Sequence, residues 1–259
     1  MPFSLSNAPS TFQALMNEVF TDYLHKFVLV FFDDILIFSK SWPDHLQHLK
    51  KVFQLIRAHR LYLKRTKSTF GRQQVTYLGH LMTVAWVTVD PDKIAAVTQW
   101  PVPRTISALR GFLGLAAYYR KFIQDYAALT APLTNLLHRN SFQWTDEAAT
   151  AFQNLKTTLA TAPVLRLPDF GEMFIVECDA SGSGIGAVLL QVNHPIAYFS
   201  RQLPLHQHKL AAYERELIGL AKAVCHWRPY LWGRYITIRT DHYSLKYLLD
   251  QRISTSPQQ

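Results

Sequence analysis

The stretch from Lys26 to Ser39, KFVLVFFDDILIFS, constrains this chain more than any other. Two apolar runs, 27–32 and 35–38, flank the adjacent carboxylates Asp33 and Asp34, with no basic residue between them. Short runs of β-branched and aromatic residues read as strands, and a polar pair between two such runs reads as a hairpin tip. Asp accepts the dihedrals of a tight turn, which fits. A membrane helix needs about 20 mostly apolar residues; two charges divide a shorter run here, so that alternative fails. Carboxylates about 5 Å apart in a partly buried turn repel by roughly 3 kcal/mol at an effective dielectric of about 20. Three outcomes are open: the turn is solvated, one carboxyl takes a proton, or a divalent cation with oxygen ligands neutralises both. Apolar flanks, expected to desolvate the pair, weigh against the first.

The run Phe31-Phe32-Asp33-Asp34-Ile35-Leu36-Ile37-Phe38-Ser39 resembles the polymerase carboxylate hairpin of reverse transcriptases from gypsy-type LTR retrotransposons. The resemblance implies that Asp33 and Asp34 are catalytic and bind Mg²⁺ or Mn²⁺, and it extends over nearly all of residues 1–252. A net charge of +9, from 27 Lys and Arg against 18 Asp and Glu, suits a polyanionic partner. Two cysteines, Cys178 and Cys225, make neither a disulfide framework nor a CxxC zinc pair, which indicates a reduced interior. The start, MPFSLSNAPS, has neither the basic nor the apolar part of a signal peptide. The expected location is intracellular, in a cytoplasmic particle or the nucleus, without secretion or membrane insertion.

Residues 10–24 have helical apolar spacing at Phe12, Leu15, Met16, Val19 and Phe20, with Ser10 as the expected cap. Met1 to Pro9 followed by Thr11-Phe12-Gln13 is similar to the family segment beneath the incoming nucleotide and template, which implies a nucleic-acid contact for Gln13. Ser4 stands where the family usually has Gly, and read alone Asn7-Ala8-Pro9 is a helix-entry loop. A helix is expected over 45–61 with Leu46, Leu49, Val52, Phe53 and Ile56 inward. His45 and His48, one turn apart, are metal-ligand spacing, but no cysteine or further carboxylate joins them, which favours a solvated face. Leu61-Tyr62-Leu63-Lys64 and residues 75–80 read as strands around a basic turn. Tyr77-Leu78-Gly79-His80 resembles the family's primer-grip hairpin, so Tyr77 and Gly79 are expected at nucleic acid, Gly79 allowing close backbone approach.

Asp90-Pro91 opens a helix stopped by Trp100-Pro101-Val102-Pro103. Thr105 or Ser107 then caps a helix expected over 108–126, in which Gly111 and Gly114 share a face that admits either another helix or a nucleic-acid backbone. The stretch 103–122 looks like the family's thumb, whose helix tracks the minor groove. That implies phosphate contacts from Arg110, Arg120 and Lys121. Trp86, where relatives usually have Gly, is expected to force a local rearrangement, because Trp takes positive φ at a cost. Phe142 to Thr145 leads into Asp146-Glu147, read as a cap with an acidic first turn, and a helix through Leu159; residues 162–169, with prolines near both ends, read as a tether.

Beyond it, residues 173–179 and 187–191 read as strands joined by a Gly/Ser run, with a third over 195–200, a helix over 212–226 and a strand over 236–241. The Gly/Ser run is no phosphate loop, since no Lys-Ser/Thr and no helix follow it. Asp179, Glu216 and Asp241, at strand and helix positions that can converge, suit a two-metal phosphodiester hydrolase. Asp179-Ala180-Ser181, Tyr213 to Leu217 and Thr240-Asp241-His242 resemble ribonuclease H motifs, which implies that the three carboxylates are catalytic metal ligands, with Glu216 rather than Glu214 carried over.

The fold class expected is a multidomain α+β and α/β chain: a partial polymerase palm (1–89), a helical thumb and tether (90–165) and a truncated ribonuclease H-like domain (166–259). The family's fingers region and first polymerase Asp fall before Met1, and its fourth ribonuclease H carboxylate after Gln259, so impaired polymerisation is expected. Expected partners are an RNA–DNA hybrid or template–primer duplex, and deoxynucleoside triphosphates once a fingers region is supplied. A non-catalytic nucleic-acid-binding remnant and a homodimer, or partner of a fuller copy, are the competing readings.

Overall fold

The computed structural model describes residues 7–138, 142–182 and 184–240. The chain divides into two compact units, Met1–Tyr77 and Leu78–Gln259.

The first unit is built around the expected hairpin. Helix α1 (Ala8–Val19) leads to strands β1 (Val28–Phe31) and β2 (Asp34–Ile37), followed by helix α2 (Trp42–Ala58) and strand β3 (Val75–Tyr77). Helix α1 starts before Ser10, behind Asn7 and with Pro9 in its first turn. Proline is tolerated there because the first-turn N–H has no intrahelical acceptor to lose. Strands β1 and β2 pair antiparallel from Val28↔Ile37 to Phe31↔Asp34. Met16, Val19 and Phe20 of α1 pack with Phe27, Val28, Val52 and Ile56 as this unit's core. Ser41 caps α2, its hydroxyl accepting from the Asp44 amide. Two residues expected inward on α2, Leu46 and Phe53, are exposed, because the core reaches α2 only along the Val52–Ile56 stripe. Leu61 to Lys64 forms no strand, and Tyr62 is exposed. β propensity without a ladder partner leaves backbone groups unpaired, so propensity there loses.

The second unit holds two sheets. Strands β4 (His80–Met82) and β5 (Trp86–Val89) precede α3 (Pro91–Thr98), α4 (Ile106–Tyr118), α5 (Tyr126–Asn135) and α6 (Asp146–Ala160), after which β6 (Leu165–Arg166) pairs back onto β5. Thr105 caps α4 and Thr145 caps α6, each hydroxyl accepting the amide three residues on. Leu109, Phe112, Leu113 and Ala116 of α4 pack on Phe152, Leu155 and Leu159 of α6. Three expectations give way here. Trp86 sits in regular β5, opposite Arg166, without positive φ, since the reversal is made at Thr83 to Trp86 by side-chain and backbone bonds. Within the expected tether, Leu165 and Arg166 form the short strand β6, with Leu165 fully buried against β5. The long helix over 108–126 ends at Tyr118: the chain tightens into a 3-10 turn over Arg120–Phe122 and then reverses at Asp125, whose left-handed φ of 53° breaks the helical path before α5.

The second sheet runs β10 (Ile236–Arg239), β7 (Phe174–Ala180), β8 (Gly184–Gln191), β9 (His194–Gln202), with β10 parallel to β7 and the others antiparallel. Alternation puts Phe174, Val176, Cys178, Ile185, Ala187 and Leu189 on one face, covered by Leu220 and Ala223 of α7 (Ala212–His226) and by Leu231 of α8 (Arg228–Leu231). The other face meets α5, where the Ala127 amide donates to Ser200 Oγ at 2.8 Å. Among the described residues, no helix is long and apolar enough to cross a membrane.

Candidate active sites

The hairpin tip consists of Phe32 and Asp33, closed by the Phe31↔Asp34 pair. Phe32, rather than either Asp, takes the left-handed backbone, with φ of 50°. Gln13 on α1 holds that residue in place: its Oε1 accepts the Phe32 amide at 2.6 Å, while its Nε2 donates to Asn17 Oδ1 at 2.8 Å. Gln13, singled out for nucleic acid, is thus engaged with the carboxylate turn. Asp33 and Asp34 are both exposed, so the desolvation expected from their flanks does not occur. The ribbon buries its far end, at Val28, and leaves its tip open. A cavity of about 250 Å³ beside it is lined by both carboxylates and also by Lys67 and Arg72, which place positive charge at the same opening. His45 and His48 both present Nδ1 to Ser39 Oγ, at 3.2 and 2.7 Å, and His48 stacks on Phe27 with ring centres 3.8 Å apart. Packing and this shared hydroxyl account for the pair.

In the second unit the local sequence brings two of the expected carboxylates together. Asp179 stands near the end of β7 and is exposed; Glu216 lies on α7 and is 5% exposed. Glu216 Oε1 accepts the amide of Ala180, the residue after Asp179, at 2.9 Å. Gly219, one turn beyond Glu216, permits this approach: a Cβ there would stand 3.0 Å from Cys178 Sγ and 3.1 Å from Ile185 Cγ2. Burial, with Glu216 and Asp179 adding to it, pushes the Cys178 thiol up to about 12, so it is no nucleophile. Glu214 turns back to accept the Ala211 amide at 3.2 Å and caps the helix. Asp241 lies outside the described residues, two positions beyond Arg239, whose guanidinium pairs with Glu177 at 2.8 Å. Among the described residues, no group of three or more His, Cys, Asp or Glu side chains could hold a metal ion.

One carboxylate at this site escaped sequence reasoning. Asp125 adopts φ of 53° ahead of α5, and its Oδ1 lies 2.6 Å from where a Gly186 Cβ would be, with Gly186 paired to Asp179 across the strands. Burial first, then the charge of Asp179, raises the Asp125 carboxyl above its usual range. The tolerance of Asp for left-handed backbone is the sole local signal, and nothing in the sequence links it to β8.

The remaining singled-out residues divide by environment. Arg110, Gly111, Gly114 and Arg120 are exposed; a Cβ at Gly114 would meet nothing within 4 Å and one at Gly111 only Trp100 Cζ2 at 3.9 Å, so among the described residues no neighbouring helix fills that face. Lys121 is partly buried, its Nζ 5.2 Å over the Phe122 ring, and burial lowers its pKa. Gly79, with φ of 70°, faces the Tyr119 hydroxyl, 2.7 Å from its absent Cβ. Tyr77 ends β3 and is partly buried.

Comparison with known proteins gives one picture. The family described as reverse transcriptase (RNA-dependent DNA polymerase) matches residues 1–82, and the RNase H-like domain found in reverse transcriptase matches residues 144–238. The chain is 40% identical, over 96% of its length, to the retrovirus-related Pol polyprotein from transposon 297 of Drosophila melanogaster, covering 24% of that protein. It is 35% identical, over 97% of its length, to that from transposon gypsy of the same organism, covering 26% of it. The transposon Tf2-3 polyprotein of Schizosaccharomyces pombe is 35% identical over 95% of the chain, which covers 19% of it. The chain therefore spans about a quarter or less of the relatives it matches. The foamy viral protease-reverse transcriptase dRH in complex with double-stranded DNA shares the fold, with a TM-score of 0.87 over 99% of this chain and 47% of that one, at 23% identity. The foamy viral protease-reverse transcriptase in complex with an RNA/DNA hybrid gives 0.82 over 100% of this chain and 36% of that one, at 23% identity.

Proposed function

We propose, since this chain belongs to the reverse transcriptase and ribonuclease H portion of gypsy-type retrotransposon Pol polyproteins, that it acts on nucleic-acid phosphodiesters at two carboxylate centres. In this reading residues 1–89 are palm-like, 90–165 thumb-like and 166–259 ribonuclease H-like. The function is RNA-directed DNA polymerisation with cleavage of the RNA strand of an RNA–DNA hybrid. The observation that carries it is buried Glu216 on α7 accepting the amide of Ala180, the residue next to exposed Asp179 near the end of β7. Hard carboxylate oxygens suit Mg²⁺ or Mn²⁺, and Asp179, Glu216 and Asp241 would hold it, as Asp33 and Asp34 would at the hairpin. A bound pair of such ions supplies an activated water and a stabilised leaving oxygen. Glu216 keeps a fixed orientation through the Ala180 amide, and Asp179 faces solvent where a phosphate can enter. The open face of α4, with Arg110 at Gly111 and Gly114, suits a template–primer duplex or hybrid held by its phosphates. Deoxynucleoside triphosphates join this reading once a fingers region is supplied, and an intracellular location belongs to it as well; homodimerisation belongs to the competing reading.

The test is Mg²⁺- or Mn²⁺-dependent cleavage of the RNA strand in a labelled hybrid. Wild-type chain is expected to cut, and Asp179→Asn or Glu216→Gln to abolish cutting while leaving hybrid binding in place. A second reading, duplex binding without turnover, draws on the exposed Arg110 and Arg120 of the thumb-like stretch, which suit phosphates whether or not the chain cuts. It wins if wild-type chain binds the hybrid, with affinity falling steeply with salt, and never cuts it.

A further inference from the structure

We infer that the outer face of α2 and the turn after it, from Lys50 to Arg65, form a second nucleic-acid surface, one that takes single strands and lies apart from both carboxylate centres. The inference concerns a face that the reading above leaves unassigned, and it holds whether or not the chain cuts. Between Asp44 and Asp90 the sequence places eight Lys and Arg and no Asp or Glu. Two of the eight, Lys67 and Arg72, line the cavity at the hairpin, and Lys51 lies over the Tyr23 ring at 5.7 Å. The other five, Lys50, Arg57, Arg60, Lys64 and Arg65, are all exposed, and among the described residues no ion pair engages any of them. Cations gathered without counter-charges repel one another, so such a face gains from a polyanion that neutralises it.

The fold turns this charge outward. Val52 and Ile56 pack with Phe27 and Val28 in the core of this unit, and at roughly 100° per residue Lys50 and Arg57 fall on the opposite side of the helix. Helix α2 then ends in a Schellman turn, the Leu61 amide donating to the Ile56 carbonyl at 2.8 Å and the Arg60 amide to that of Arg57 at 3.1 Å. Its left-handed residue is Arg60, with φ of 54°, at a position where glycine is usual and a Cβ is strained. The backbone thus tolerates strain at a residue whose exposed side chain adds nothing to the core. Beyond it Leu61 to Lys64 joins no sheet, and Tyr62 is 96% exposed. An open aromatic ring between a guanidinium and an ammonium is where an unpaired base stacks while its phosphates meet the cations. A duplex keeps its bases stacked on one another and offers Tyr62 none, which makes the single strand the better occupant.

The experiment measures binding of the 259-residue chain to unstructured oligouridylate and oligothymidylate by fluorescence anisotropy across a salt series. Both are expected to bind, since neither phosphate contact nor stacking reads the sugar. Arg57→Gln/Lys64→Gln/Arg65→Gln should flatten the slope of log affinity against log salt by about 2, at about 0.7 per phosphate contact on a single strand. Tyr62→Ala should weaken binding about tenfold and leave the slope unchanged. Arg60→Gly removes a cation while relieving the left-handed strain. It should lose affinity with an unfolding midpoint at or above that of wild type, which separates binding from folding. A control of equal charge at other exposed positions, Lys26→Gln/Arg104→Gln/Lys209→Gln, should keep the wild-type slope. Equal flattening by that control reduces the effect to net charge and overturns the surface. So do wild-type affinities in the Arg57, Arg60 and Tyr62 variants, or a wild-type chain that binds no single strand. A loss confined to phosphatidylserine vesicles, with oligonucleotide binding intact, assigns the face to a membrane and overturns it as well.

Discussion

Replacing Gly79 by Ala sets two separable costs against each other. The first is conformational: φ of 70° is left-handed, worth about 1–2 kcal/mol against any residue with a Cβ. The second is steric, since the added carbon would stand 2.7 Å from Tyr119 Oη, with the next neighbours, Lys93 Cγ and Tyr118 Cε1, at 3.9 Å. Tyr119 is 1% exposed and its ring is wedged against His80, so it cannot swing clear. Overpacking of this kind costs about 1–3 kcal/mol, for a total of about 2–5 kcal/mol. Tyr119→Phe alone loses one hydroxyl bond, about 1 kcal/mol net, because the Asp90 amide still satisfies the Gly79 carbonyl. In the Phe background the obstructing atom is gone, and Gly79→Ala should cost only the conformational part, about 1–2 kcal/mol. The cycle therefore predicts a coupling of about 1–3 kcal/mol in favour of the double variant. Urea unfolding followed by tryptophan fluorescence reads it, since Trp86, Trp100, Trp144, Trp227 and Trp232 all belong to the second unit. Additivity within about 0.5 kcal/mol would refute the steric argument.

Gly186→Ala should behave in the opposite way despite a similar short distance. Its Cβ would meet Asp125 Oδ1 at 2.6 Å, but Asp125 is exposed and can rotate away, so the cost should stay below about 1 kcal/mol in the same unfolding assay. His80 gives the pH dependence. Burial first, then Lys121, lowers its pKa from 6.5 to about 4, so the folded chain binds fewer protons than the unfolded one between those values. Stability is then full above about 6.5 and falls as pH drops toward about 4. Unfolding midpoints measured across that window should fall less in His80→Asn than in wild type, and parallel profiles would discount the histidine.

Much of the architecture was legible because it is written in local pattern. Alternation and helical spacing located the hairpin strands, α6 and α7, and the acidic pair Asp146-Glu147 marked the start of α6, although the capping hydroxyl is that of Thr145, one residue earlier. The placing of Glu216 by Ala180 also follows from sequence in part, since the apolar stripe through Leu217 and Leu220 turns that face of α7 inward. Leu165 and Arg166 read as tether because two residues carry no periodicity, and their partner, β5, lies about 80 residues earlier. Leu61 to Lys64 failed in the other direction, having strand residues with nothing to pair with.

What the sequence determined by itself is therefore the chemistry available and the faces that turn inward: which strands carry carboxylates, which helix carries Glu216, and where a glycine pair thins a helix. Tertiary structure alone decided who meets whom. It set Gln13 under the carboxylate turn, Asp125 against Gly186 beside Asp179, and two tyrosine hydroxyls on a turn 40 residues before them. The physical reason is that propensity and periodicity act over a few residues, whereas a hydrogen bond or a steric contact depends on distance in space, which the packed core supplies.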